Sequence, residues 1–153
     1  LKYIVLCENL SISEIHTAGI PDNIMKTLIL DIKFNEKYFE RVLHHEVFHI
    51  IYLQHGKIFN EGEWTKFNNS KFKYAECSTC TKKIGLKKYE KTKGFFTEYS
   101  MSTASEDMAE VYSHMIHLKK KEINQIRKLD PILNNKISYI ESKIKQIDNS
   151  FTF

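Results

Sequence analysis

Apolar positions along the chain change period several times, and the changes predict an α+β layout. Residues 2–8 are a nearly continuous apolar run and predict a buried strand. Ser11 to Ile15 predicts a short second segment, and Ile20-Pro21-Asp22-Asn23 predicts a turn. Thr27 to Phe34 alternates, which predicts another strand with Asp31 and Lys33 on its polar face. From Tyr38 to His55 the period becomes helical. Phe39, Val42, Leu43, Val47, Ile50 and Ile51 recur at spacings of three and four, and Gly56 stands where a helix stop is expected. Residues 56–97 are polar and irregular, with Gly56, Gly62, Gly85 and Gly94 spread through them. A connection that long carries function or some structure of its own. A second helix is expected from about residue 104 to 128, with Met108, Val111, Tyr112, Met115 and Ile116 as its stripe and Ser102, Thr103 or Ser105 as its N-cap. Pro131 ends it at Asp130. Ile137, Ile140, Ile144 and Ile147 then predict a last helix over 132–147, packed on the body or, alternatively, on a coiled-coil partner.

At 153 residues the expectation is one domain: 1–55 as sheet plus helix, 56–98 as a loop-rich connection, and 99–153 as a helical subdomain. The 42% hydrophobic content supports a core, and the 27% charged content argues for a soluble protein. No run of 18 or more apolar residues exists, so no helical membrane span is expected. The chain begins at Leu1, which reads as a processed or truncated piece, so a leader or a neighbouring domain stays open, as does the compartment. Net charge is +4. The lysines at 82, 83, 87, 88, 91, 93 and 119–121 read as a solvated surface in preference to a nucleic-acid patch. Three cysteines, Cys7, Cys77 and Cys80, are too few for a disulfide scaffold or a four-ligand structural zinc. Cys77 and Cys80 read as a local disulfide or two free thiols in a loop.

The predicted helix 38–55 carries His45-Glu46-Val47-Phe48-His49, the pattern H-E-x-x-H. Side chains four apart share a helix face, so two imidazoles can hold one Zn²⁺ while Glu46 reaches a water beside it. A catalytic zinc takes three protein ligands, and two candidates stand for the third. His55 nearly completes H-E-x-x-H-x-x-G-x-x-H, with Met101 as a Met-turn, but Tyr52 occupies the glycine position. A helix continuing through Tyr52 puts His55 about 80° from His45 and about 120° from His49, off the metal face. The other candidate is Glu106, which shares a face with Glu110 one turn on; one could bind zinc and the other hydrogen-bond a ligand histidine.

The stretch Tyr99-Ser-Met-Ser-Thr-Ala-Ser-Glu106-Asp-Met-Ala-Glu110 is similar to the distal motif of the anthrax lethal factor catalytic domain and the clostridial Pro-Pro endopeptidases. In that family a tyrosine lies seven residues before the glutamate ligand, and an Ala-Glu pair follows one turn later. The resemblance covers two windows, near 38–55 and 94–116. It implies a zincin-like fold, His45, His49 and Glu106 as ligands of one Zn²⁺ per chain, and Glu46 as general base. It further implies Tyr99 as oxyanion donor and Glu110 as support for a ligand histidine. Glu63-Trp64 to Asn68, with Phe72 and Tyr74, also resembles a loop of bacterial zinc-peptidase homologues.

The expected function is zinc-dependent hydrolysis of peptide bonds in a protein or peptide substrate, with no nucleic acid partner. Trp64, Phe67, Phe72 and Tyr74 are expected either to line a substrate groove or to pack in the core. In such peptidases an edge strand, here expected around 27–34, receives the substrate as an added strand. Three rivals remain at this point: a metzincin-type protease using His55, a binding or toxin module with a non-catalytic metal, and a basic nucleic-acid module.

Overall fold

The computed structural model describes residues 1–12, 14–34, 36–81, 85–87 and 92–153. Strands β1 (Tyr3–Cys7), β2 (Ser11–Ile12), β3 (Ile15–His16), β4 (Gly19–Asp22) and β5 (Thr27–Asp31) come first. Helices α1 (Phe39–Gln54), α2 (Glu61–Thr65), α3 (Ala104–His117), α4 (Lys120–Leu129) and α5 (Pro131–Ile147) follow, with 3-10 turns at Glu36–Tyr38, Ser78–Cys80 and Tyr99–Met101. The α+β expectation holds: a small N-terminal sheet, then a helical C-terminal half. No helix among the described residues is long and apolar enough to cross a membrane.

The main sheet has the order β1-β5-β4, with β1 parallel and β4 antiparallel to β5. The expected turn at 20–23 is strand β4, and the turn falls at residues 23–26, where Asp22 Oδ1 accepts the Ile24 and Met25 N–H groups at 2.9 Å. Pro21 hid the strand. It is tolerated because β4 is an edge, and the Asp31 N–H to Ala18 carbonyl bond (2.9 Å) fixes the phase so that Gly19 and Pro21 point outward. The strand expected over 27–34 stops at Asp31 and is the middle of the sheet, so it is not the edge that could receive a substrate. Asp31 is buried because its carboxylate accepts the Leu10 and Lys33 N–H groups at 2.8 Å. The predicted burial of residues 2–8 also fails. Tyr3 to Leu6 are all exposed, since among the described residues only β5 flanks β1 and α1 covers Leu28 and Leu30 of β5 instead.

Helix α1 buries two stripes. Val42 and Ile50, with Leu43 and Val47, meet the sheet; Phe48, Ile51 and Tyr52 meet α3 and the C-terminal helices. The helix expected over 104–128 is two. α3 ends at His117, Leu118 and Lys119 are extended, and Glu122 accepts the Lys119 N–H at 3.0 Å as α4 begins. Asp130 then caps α5 by accepting the Ile132 and Leu133 N–H groups, with Pro131 at the first helical position. Ile137, Ile140 and Ile144 are buried and Ile147 packs partly on the same core, so the isoleucine stripe meets the body. Of the irregular stretch 56–97, Trp64 is fully buried, Phe67 and Tyr74 pack against the core, and Phe72 meets Tyr74 edge-on and Phe95 at a tilt. These aromatics take the core role. Cys77 and Cys80 form a disulfide within a 3-10 turn. Lys87, Lys93 and Lys119 to Lys121 are exposed, while the lysines at 82, 83, 88 and 91 lie outside the described residues.

A buried ion pair locks α3 to α5. Lys136 Nζ lies 2.6 Å from Asp107 Oδ2 and also donates to the Gly94 carbonyl at 2.6 Å. Trp64 Nε1 and the Tyr74 hydroxyl donate to the same carboxylate oxygen. Breaking a buried pair leaves an uncompensated charge, which costs about 3–5 kcal/mol. Lys136→Met should therefore lower the urea midpoint strongly, and Asp107→Asn combined with Lys136→Met should recover part of the loss. Equal stability of Lys136→Met and wild type in urea titration would remove this pair from the account of α3.

Candidate metal centre

Arg41, His45 and His49 follow one another at four-residue intervals, so α1 presents them as one stripe. That stripe faces the first turns of α3. Thr103 caps α3 by accepting the Glu106 N–H at 3.3 Å, which sets Glu106 and, one turn on, Glu110 toward α1.

The structure brings three candidate donors together. His45 Nε2 lies 2.9 Å from Glu106 Oε2, His49 Nε2 lies 3.1 Å from the same oxygen, and the two Nε2 atoms are 3.1 Å apart. Among the described residues, the group of His, Cys, Asp and Glu side chains able to hold a metal is His45, His49 and Glu106. His55 is outside it: α1 runs through Tyr52, and His55 caps the helix C-terminus with its N–H on the Ile51 carbonyl. Hydrogen bonding serves the triangle poorly, because at most two of its three contacts can be N–H donors meeting the carboxylate. A central cation serves all three lone pairs. Donors at about 2.1 Å from a tetrahedral zinc stand about 3.4 Å apart, so an opening of a few tenths of an ångström suffices, and the donor set fits.

Glu110 anchors this arrangement from behind. Its carboxylate accepts His45 Nδ1 at 2.9 Å, Arg41 Nη1 at 2.6 and 2.8 Å, and the Thr97 hydroxyl at 2.7 Å. These bonds fix the His45 ring with Nε2 turned toward Glu106. Arg41 also donates to the Leu86 carbonyl at 3.0 Å, tying residues 85–87 to α1. Sequence reading missed Arg41 and Thr97. The four-residue step from Arg41 to His45 could have flagged the first; nothing local to the sequence marks the second.

Electrostatics follow from this packing. Burial opposes a charge on His45, but hydrogen bonds and proximity to Glu106 and Glu110 outweigh it and hold the imidazole up at about 10. Burial works against the Glu106 charge too, yet His45 and His49 keep its carboxyl well below the usual range. Glu110 is likewise pulled down to about 2, against its burial, by His45, Arg41 and His114. Both carboxylates therefore favour a proton on His45, which binding of a metal at Nε2 would have to release.

Glu46 is buried on the adjoining side, and burial raises its pKa although His45 and His49 pull the other way. Strand β4 crosses directly over it. A Cβ on Gly19 would lie 2.5 Å from Glu46 Cγ and 2.9 Å from Cδ, so only glycine lets the edge strand sit this close. Tyr99 stands on the other side, its ring 5.9 Å from that of His45. Burial, Glu106 and Glu46 push the phenol up, with Ser78, inside the Cys77–Cys80 turn, working the other way. Its ring is apart from the Phe95 contacts with Phe72 and Tyr74 and the Phe96 stack on His114.

No curated protein matches the chain. A solved structure from Bacteroides caccae ATCC 43185, described as "a putative zinc-binding metallo-peptidase", is similar in fold with a TM-score of 0.53 and 19% identity. The likeness covers 78% of this chain and 48% of that one, so this chain spans about half of that structure's length. At this identity the likeness speaks for the fold. A family model described as "Putative zinc-binding metallo-peptidase" matches residues 14–149. Spanning nearly the whole sequence, that match means the chain belongs to this zinc-binding metallo-peptidase family.

Proposed function

We propose that residues 1–153 act as one catalytic domain of a zinc-dependent metalloendopeptidase holding one Zn²⁺ through His45, His49 and Glu106. The observation that carries this reading is the convergence of two imidazole nitrogens and one carboxylate oxygen beside the buried Glu46. A zinc ion held there would supply Lewis acidity, polarising a carbonyl and lowering the pKa of a bound water to about 7. Glu46 takes a proton from the attacking water and delivers it to the leaving amine, and its burial-raised pKa suits both halves of that task. Tyr99 donates to the carbonyl oxygen as negative charge gathers on it, the role its likeness to the lethal factor motif suggests. Glu110 keeps His45 oriented, with Arg41 and Thr97 holding Glu110.

An extended peptide adds to the outer edge of β4, which replaces the 27–34 segment in this role. The outward groups there are the Gly19 N–H and the carbonyls of Gly19 and Pro21, above Glu46. Incubating the chain with a peptide library should give cleavage within peptides that a chelator stops and added zinc restores. Cleavage unaffected by the chelator, or none at all with zinc bound, contradicts the proposal.

Gly19→Ala tests the close approach of β4. The new methyl has to displace Glu46 or lift the strand, and a misplacement near 1 Å costs about 10²-fold in rate. The expected result is a kcat loss of about 10–100-fold in a folded protein with unchanged zinc content. An unchanged kcat would mean that Glu46 is not seated under the edge strand during turnover.

A further inference from the structure

One carboxylate holds both halves of the site. His45 Nδ1 donates to Glu110 Oε1 at 2.9 Å, and the Thr97 hydroxyl donates to Glu110 Oε2 at 2.7 Å. Thr97 in turn clasps Ser100. The Ser100 N–H donates to Thr97 Oγ1 at 3.1 Å, the Thr97 N–H donates to Ser100 Oγ at 3.3 Å, and the two hydroxyl oxygens are 3.1 Å apart. Tyr99 lies inside this clasp, at the start of the 3-10 turn Tyr99–Met101. Resting on the peptidase reading, we propose that Thr97 is a positioning residue for Tyr99, setting its phenol in register with the His45 side of the metal centre.

Donor counting fixes the direction of every bond. Against its burial, His45 and Arg41 keep Glu110 ionised, and a carboxylate only accepts, so the single Thr97 hydroxyl proton goes to Glu110. The Ser100 hydroxyl must then donate to Thr97 Oγ1, whose two lone pairs are filled by the Ser100 N–H and O–H. Thr97 and Ser100 are both at 0% exposure, so bulk water cannot stand in for either partner. The other flank of the turn returns to the same carboxylate. The Tyr99 N–H donates to the Gly85 carbonyl at 3.1 Å, the next carbonyl, of Leu86, accepts Arg41 Nη2 at 3.0 Å, and Arg41 Nη1 donates to Glu110. Without the Thr97 hydroxyl the turn keeps only its Gly85 end and can pivot there, and the long tyrosine side chain magnifies a small backbone rotation at its tip. Glu110 meanwhile keeps His45 and Arg41, so the ligand side of the site stays in place.

The test combines peptide-cleavage kinetics with fluorine NMR of protein whose eight tyrosines are replaced by 3-fluorotyrosine. The Tyr99 signal is the one missing from Tyr99→Phe. Thr97→Val should shift or broaden that signal, keep stoichiometric zinc, and lower kcat about tenfold or more with KM little changed. Thr97→Ser restores the hydroxyl and should leave both the signal and kcat near wild type. In a Tyr99→Phe background, Thr97→Val should cost nothing further, because the two changes remove one function. Should Thr97→Val fail to fold by circular dichroism, Ser100→Ala loosens the clasp while leaving Glu110 its bond from Thr97, and the same signal should move. An unmoved Tyr99 signal in either folded variant, or an equal rate loss with and without the Tyr99 hydroxyl, overturns the proposal. So does zinc loss from Thr97→Val, which would place Thr97 behind His45 alone. The NMR signal needs no turnover, so a wild type that cleaves nothing would sink the peptidase reading, whereas a fixed signal would sink only the role given to Thr97.

Discussion

Glu46→Gln should give a folded, zinc-loaded protein with peptide cleavage reduced by about 10³-fold or more. General acid–base catalysis contributes about 10²–10⁴, and Glu46 serves both proton steps, so the loss belongs near the upper end. Glutamine keeps nearly the same volume, so the Gly19 contact and the packing of α1 survive. Glu46 is also outside the donor triangle, so metal content should stay at wild-type level. These two conditions separate loss of chemistry from loss of the site. The measurement is a single-turnover rate on a cleavable peptide, alongside metal analysis and circular dichroism. A rate within tenfold of wild type would remove Glu46 as the base, and zinc loss would make it a ligand.

The second large effect concerns the third donor. Glu106→Ala leaves two imidazoles and removes the oxygen that both Nε2 atoms approach at 2.9 and 3.1 Å. Stoichiometric zinc should be lost on dialysis, and activity with it. His55→Ala should retain full zinc, because His55 caps the end of α1 away from the cluster. The pair of variants discriminates between the two ligand sets that the sequence leaves open. Zinc lost only from the His55 variant would reverse the assignment. Equal retention in both would require a donor other than either.

The central geometry was legible because it rests on local periodicity. Four-residue spacing put His45 and His49 on one face, the apolar stripe fixed α1 to within a residue or two, and Glu106 and Glu110 fell on one face of α3 by the same rule. Tyr52 alone was enough to discount His55, since nothing at that position breaks a helix. Relations between distant segments were not legible. Arg41 and Thr97 meet at Glu110 from 69 and 13 residues away, and no periodicity encodes that meeting. Lys136 and Asp107 are each ordinary surface residues by type, and their burial depends on each other. Strand β4 was obscured by Pro21, whose preference for turns holds except at an edge. The burial of β1 was misjudged for a physical reason: apolarity says that a segment gains from being covered, not that its own chain covers it. Asp31 shows the converse, a charged residue drawn inward by loop N–H groups that sequence cannot place.

The direct measurement is anomalous diffraction at the zinc absorption edge from crystals grown with the metal. The account predicts one peak per chain, about 2.0–2.2 Å from His45 Nε2, His49 Nε2 and a Glu106 carboxylate oxygen, with a solvent position left open beside Glu46. A peak elsewhere, or a fourth protein side chain closing the coordination sphere, would contradict it.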